Sequence, residues 1–136
     1  MTDTLSLLKL AEEKDILVTF LPLHNRALAI RLDDQKCAIA INRRWRGNRR
    51  EKKACLAHEL GHCETGSFYN VHSSLELRSR YESRADRWAI KRLIPRDELV
   101  RAVRSGLREI WQLAEHFDVP YDFMQKAIDY YKCPRI

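Results

Sequence analysis

Apolar and polar positions alternate at two different periods along the chain. Leu7, Leu8 and Ala11 recur at helical spacing and predict a short amphipathic helix over residues 5–14. Residues 16–21 read as a strand that stops at Pro22. Residues 27–32 and 37–42 are rich in Ile and Ala and flank a polar stretch at 33–36, the pattern of a β-hairpin. From residue 48 the helical period returns. Asn48 followed by Glu51 has the form of a capping box, and Gly66 provides a C-terminal stop. Ser73 with Glu76 predicts the start of a second helix, which Pro95 ends. Beyond Pro95 the pattern stays helical over residues 96–105, 107–117 and 121–131. Gly106 and the segment Asp118-Val119-Pro120 form the breaks. The expected fold class is α+β: a short β-sheet, two central helices and a helical C-terminal third, in one domain spanning residues 1–136.

The first of those central helices carries His58-Glu59-Leu60-Gly61-His62, an H-E-x-x-H motif. Residues four apart share one helix face, so both imidazoles can bind the same Zn²⁺. Glu59 is placed to act as general base on a metal-activated water without being a ligand. The extended motif would put a third His at position 68, but Phe68 stands there, so the third ligand must come from further along. Glu82 is the best candidate. Glu82, Asp86, Ala89 and Leu93 share one stripe of the second helix, an acidic beginning on an otherwise apolar face. Asp86, one turn on, can accept the free ring N–H of a ligand His and fix its tautomer. Cys55 and His72 are the next candidates for the third ligand. Tyr69, His72 and Tyr81 are candidates to stabilise the oxyanion of a tetrahedral intermediate.

Charge adds one local feature. The formal net charge is +6, and residues 42–53 account for all of it, with seven cations against Glu51 alone. Arg43, Arg44, Arg46, Arg49 and Arg50 can steer an acidic stretch of substrate toward the cleft. The alternative function is a DNA-binding regulator that uses this basic segment and the helix-turn-helix-like cadence of residues 107–131. Residues 121–131 argue against direct nucleic-acid binding. Only Gln125 and Lys126 suit a base-reading face there, and Asp122 and Asp129 would repel phosphate. The expected role of this hairpin is packing, through Trp111, Leu113, Phe117, Phe123, Met124 and Ile128.

The four cysteines, at 37, 55, 63 and 133, form no CxxC pair. There is no apolar run long enough to cross a membrane and no signal-peptide pattern at the N-terminus. The expectation is a cytoplasmic protein with reduced thiols.

The run from His58 through Phe68, followed by Glu82-x-x-Ala85-Asp86-x-Trp88-Ala89-x-x-x-Leu93-Ile94-Pro95, resembles the ImmA/IrrE-type metallopeptidases. The resemblance is closest over about forty residues and looser on either side. It implies a gluzincin-like fold with one zinc ion per chain held by His58, His62 and Glu82, and Glu59 as catalytic base. It also implies a protein substrate: a helix-turn-helix repressor of a prophage or mobile element, whose cleavage relieves repression.

Overall fold

The computed structural model describes residues 2–33 and 36–132. The middle of the expected hairpin turn, Asp34-Gln35, and Cys133 lie outside the described residues. Helix α1 (Thr4–Glu13) starts at Asp3, whose carboxylate accepts the Ser6 N–H at 2.8 Å. Three strands follow: β1 (Leu17–Leu21), β2 (Ala27–Arg31) and β3 (Cys37–Asn42). They form a sheet in the order β1-β3-β2. The expected hairpin is present, with Ala29 opposite Ile39, and β1 joins β3 in parallel, with Val18 opposite Ile39. The central strand buries Ala38, Ile39 and Ala40 consecutively. Small side chains there leave room for helices to pack closely.

Helix α2 (Arg49–Thr65) is framed by the expected signals. Asn48 and Glu51 form a reciprocal capping box, and Gly66 ends the helix in the left-handed region at φ 66°. Helix α3 (Leu75–Leu93) begins one residue later than its sequence suggests. Ser74, not Ser73, caps it and accepts the Leu77 N–H, while the Ser73 hydroxyl accepts the Asn70 N–H in the preceding loop. Helices α4 (Arg96–Arg104), α5 (Ile110–Phe117) and α6 (Tyr121–Lys132) complete the chain.

One continuous core joins α1, the sheet, α2, α3 and the C-terminal helices. Leu113, Phe117, Phe123 and Met124 are buried in it, which accounts for the apolar face of the α5–α6 hairpin. Trp111 departs from the expected packing role and is 58% exposed. The thiols depart from expectation too. Packing of β3 against α2 brings the Cα atoms of Cys37 and Cys63 to 5.9 Å, within disulfide reach, and the two are bonded. Cys55 is free.

Candidate metal centre

Helices α2 and α3 form the most extensive helix–helix contact among the described residues, and Gly61 allows their backbones to approach. A Cβ at position 61 would lie 2.6 Å from the Ala85 carbonyl oxygen and 2.9 Å from its Cα. Neither backbone atom can yield without moving α3. The glycine in the middle of H-E-L-G-H therefore sets the distance between the histidines and the carboxylate across from them. The sequence analysis does not single it out. Its only signal is local: a glycine inside a helix costs about 1 kcal/mol relative to alanine, so its presence there needs a packing reason.

This close crossing brings His58, His62 and Glu82 together, and their nearest donor atoms all fall within 4.8 Å of one another. The Nε2 atoms of His58 and His62 are 3.2 Å apart. Glu82 Oε2 lies 2.7 Å from His58 Nε2, and Oε1 lies 3.1 Å from His62 Nε2. The other ring nitrogens face outward. His58 Nδ1 donates to Asp86 Oδ1 at 2.7 Å, and His62 Nδ1 donates to the Ser67 carbonyl at 2.6 Å. Both outer contacts put a proton on Nδ1, so Nε2 is the ring atom that each histidine turns to the centre.

That arrangement is a fit test for a metal. Two imidazoles on a tetrahedral ion, at Zn–N of about 2.0–2.1 Å, stand roughly 3.3 Å apart, close to the observed separation of 3.2 Å. Glu82 at 2.7 Å from His58 Nε2 is a hydrogen-bond contact, so with no ion present a proton on Nε2 supplies the positive charge that a metal would supply in its place. The residues present fit a divalent metal that prefers nitrogen and oxygen donors.

The electrostatics agree. Burial pushes the His58 pKa down, but hydrogen bonds to Asp86 and Glu82 outweigh it and raise it to about 10. His62 is also raised: burial opposes, while Glu82 and the Ser67 carbonyl win. Hydrogen bonds from His58 and His62 hold Glu82 far below the usual carboxylate range. For Asp86, burial is the largest effect and raises the pKa, but the hydrogen bond and charge of His58, with Lys126 on α6 3.4 Å away, together outweigh it and leave the pKa lowered. Asp86 and Glu82 thus favour positive charge in the cluster, carried by the imidazoles here and open to a metal that displaces their Nε2 protons.

Glu59 is buried beside the cluster, and desolvation raises its pKa. The neighbouring histidines and a hydrogen bond with the Ala29 backbone pull the other way. A cavity of about 240 Å³ is lined by Glu59, His62 and Glu82 together with Ala27, Ala29 and Tyr69. A second cavity of about 590 Å³ lies beyond His58, walled by Cys55, Arg50, Phe123 and Lys126.

The remaining sequence candidates separate. Tyr69 enters the site, and its hydroxyl donates to Glu82 Oε1 at 2.7 Å. His72 is exposed on the loop, where its backbone N–H donates to Asn70. Tyr81 lies under the Arg84 guanidinium at 5.2 Å. Cys55 lines the larger cavity but is not part of the donor group. Burial, then Glu59, pushes its thiol up to about 11, so it is not a thiolate.

In the basic segment, Arg43, Arg44 and Arg46 are exposed on the β3–α2 loop. Arg49 and Arg50 bond Asp118, at 2.8 and 3.0 Å. Lys53 is buried, its ammonium donating to the Phe117 carbonyl at 3.0 Å. Sequence counting placed Lys53 with the solvated cations. Its burial comes from the C-terminal helices closing over the first turns of α2.

No helix among the described residues is long and apolar enough to cross a membrane. No curated protein and no solved structure matches the chain. The M78 peptidases do match, as a family, through the IrrE N-terminal-like domain. The match covers residues 11–129 and so includes the sheet, both helices of the donor cluster and the C-terminal hairpin, and the chain belongs to that family.

Proposed function

We propose that the protein is a zinc-dependent endopeptidase that cuts a helix-turn-helix repressor in the cytoplasm. The observation that carries the hydrolase reading is the convergence of two Nε2 atoms and one carboxylate beside the buried Glu59. When bound, zinc would supply Lewis acidity and acidify water in the site. His58, His62 and Glu82 would hold it, and Asp86 and the Ser67 carbonyl keep the two rings in the required tautomer.

Glu59 takes the proton of the attacking water and returns it to the amide nitrogen as the C–N bond breaks. Burial suits it to this work, because a raised pKa makes a carboxylate a better base near neutrality. Strand β2 favours an extended peptide as substrate. It is an edge strand; just outside it, the Arg26 carbonyl accepts from the Asn42 N–H of β3 and the Leu32 N–H donates to the Lys36 carbonyl, one residue before β3. In an antiparallel pair this parity turns the backbone groups of Ala27 and Ala29 toward the cleft. A substrate strand can pair there by β-augmentation, alongside Glu59.

The repressor as substrate rests on the family resemblance. The test is cleavage of the helix-turn-helix repressor encoded nearest this gene, by wild type and Glu59→Gln, with zinc content measured for both. Cleavage by wild type alone, with about one zinc in each protein, supports the whole reading. Zinc in both with no cleavage would reject this substrate, and no zinc in wild type would reject the metal site. Glu82→Ala should lose zinc. Retained zinc and activity in that variant would remove Glu82 from the ligand set.

A further inference from the structure

We propose that Tyr69 is a catalytic residue whose hydroxyl donates a hydrogen bond to the scissile carbonyl oxygen as that oxygen becomes an oxyanion. This rests on the metallopeptidase reading and assigns a role within the same site.

Three observations support it. The first is position. Tyr69 and Ala27–Ala29 line the same small cavity, which Glu59, His62 and Glu82 also line. A peptide paired with β2 would run along that cavity, past Tyr69, Glu59 and the donor cluster. The second is the bond it makes now. The phenol donates to Glu82 Oε1 at 2.7 Å, so its proton already points at the centre of the cluster. A carboxylate that shares its charge with a cation is a weaker acceptor, and a developing oxyanion is a stronger one. Transfer of the same hydrogen bond from Glu82 to substrate then follows the movement of charge, and no proton leaves Tyr69. The third is support. Arg78 on α3 lies over the tyrosine ring at 5.8 Å, and its guanidinium donates to the Val71 carbonyl at 2.7 Å. The loop that carries Tyr69 is thereby pinned to the helix that carries Glu82. An oxyanion donor is effective only if its orientation is fixed before reaction. His72 and Tyr81 do not meet these conditions: neither lines the cavity. Tyr81 also points about 100° away from Glu82 around the helix.

A donor of this kind favours the transition state over the ground state, whereas a residue that merely orients Glu82 would alter metal affinity. The experiment therefore compares wild type and Tyr69→Phe by calorimetry with three probes: zinc alone, a peptide phosphinate with alanine on both sides of the phosphorus, and the hydroxamate of the same peptide. The phosphinate mimics the tetrahedral anion; the hydroxamate binds metal without that shape. The expected result for Tyr69→Phe is a loss of roughly 100-fold in phosphinate affinity, the usual effect of removing one oxyanion donor. Zinc and hydroxamate affinities should stay within about threefold. An equal loss for both inhibitors, a loss of zinc affinity, or an unchanged phosphinate affinity would overturn the assignment. So would zinc-loaded wild type that fails to bind the phosphinate. Wild type that takes up no zinc would instead reject the underlying metal site.

Discussion

The two ends of α2 both gather charge from a neighbouring helix, but to different effect. At the N-terminal end, Arg49, Arg50 and Lys53 surround Asp118, the left-handed residue that closes α5. At the C-terminal end, His58 and His62 surround Glu82 of α3. The first cluster is complete. The carboxylate is bonded by two guanidiniums, and the buried ammonium has a carbonyl. The second brings together groups that could hold a metal, both Nε2 atoms and the Glu82 carboxylate. A cluster of guanidiniums and a carboxylate fastens helices together; one of imidazoles and a carboxylate can also offer its donors to an ion.

The largest effect expected is at the crossing that makes the second cluster possible. Gly61→Ala should force α3 outward, lower stability by about 1–3 kcal/mol and weaken zinc binding by roughly 10–100-fold. Thermal unfolding and zinc titration would check both. Unchanged zinc affinity would mean that Gly61 does not set the ligand distance. Next is the bond between Cys63, directly after His62, and Cys37 on β3. It closes a loop with a sequence separation of 26 residues. Cys63→Ser, or reduction by a dithiol, should cost roughly 3 kcal/mol. Identical denaturation midpoints with and without reductant would show that the bond contributes nothing to stability. In a reducing compartment the pair would be thiols, so this contribution depends on where the protein resides.

Asp118→Asn keeps the left-handed backbone accessible but removes the charge. It should destabilise the fold by about 1–2 kcal/mol, because the buried Lys53 ammonium loses its nearest carboxylate. The effect has a pH signature. Hydrogen bonding to Arg49 is the main reason that the Asp118 pKa lies below its ordinary value. Its stabilisation is therefore fully present above the unfolded carboxylate pKa, near 4, and fades as pH falls through the lower folded value. The gap between wild type and variant should close in acid, and a gap independent of pH would refute the ion-pair account. The smallest effect on stability is expected for Arg43, Arg44 and Arg46 replaced together by Ser, within about 0.5 kcal/mol. If these arginines steer an acidic substrate, the variant should instead associate more slowly at low salt, and the difference should vanish at high salt. Salt-sensitive binding of wild type to duplex DNA would favour the alternative use of this loop.

The fold was legible where signals are local. The capping box at Asn48, the glycine stop at Gly66 and the two apolar runs of the hairpin each depend on a few neighbouring residues, and all three appear where the sequence places them. The α3 start slipped by one residue because Ser73 and Ser74 are both competent caps, and the preceding loop recruits the first of them. The parallel pairing of β1 was not legible, since strand neighbours distant in sequence leave no local trace.

For the site, the sequence by itself singled out the candidate residues. The spacing of His58, Glu59 and His62 follows from helix geometry, and the acidic stripe of Glu82 and Asp86 follows from the same period. Tertiary structure decided everything that depends on how closely elements approach. It brought Glu82 to the imidazoles through the Gly61–Ala85 contact, bonded Cys37 to Cys63 and buried Lys53 under the C-terminal hairpin. It also placed Tyr69, rather than His72 or Tyr81, in the cleft. The physical reason is range. Helical and strand periods are set by the backbone within a few residues, whereas the distance between two packed helices is set by the smallest side chains at their crossing.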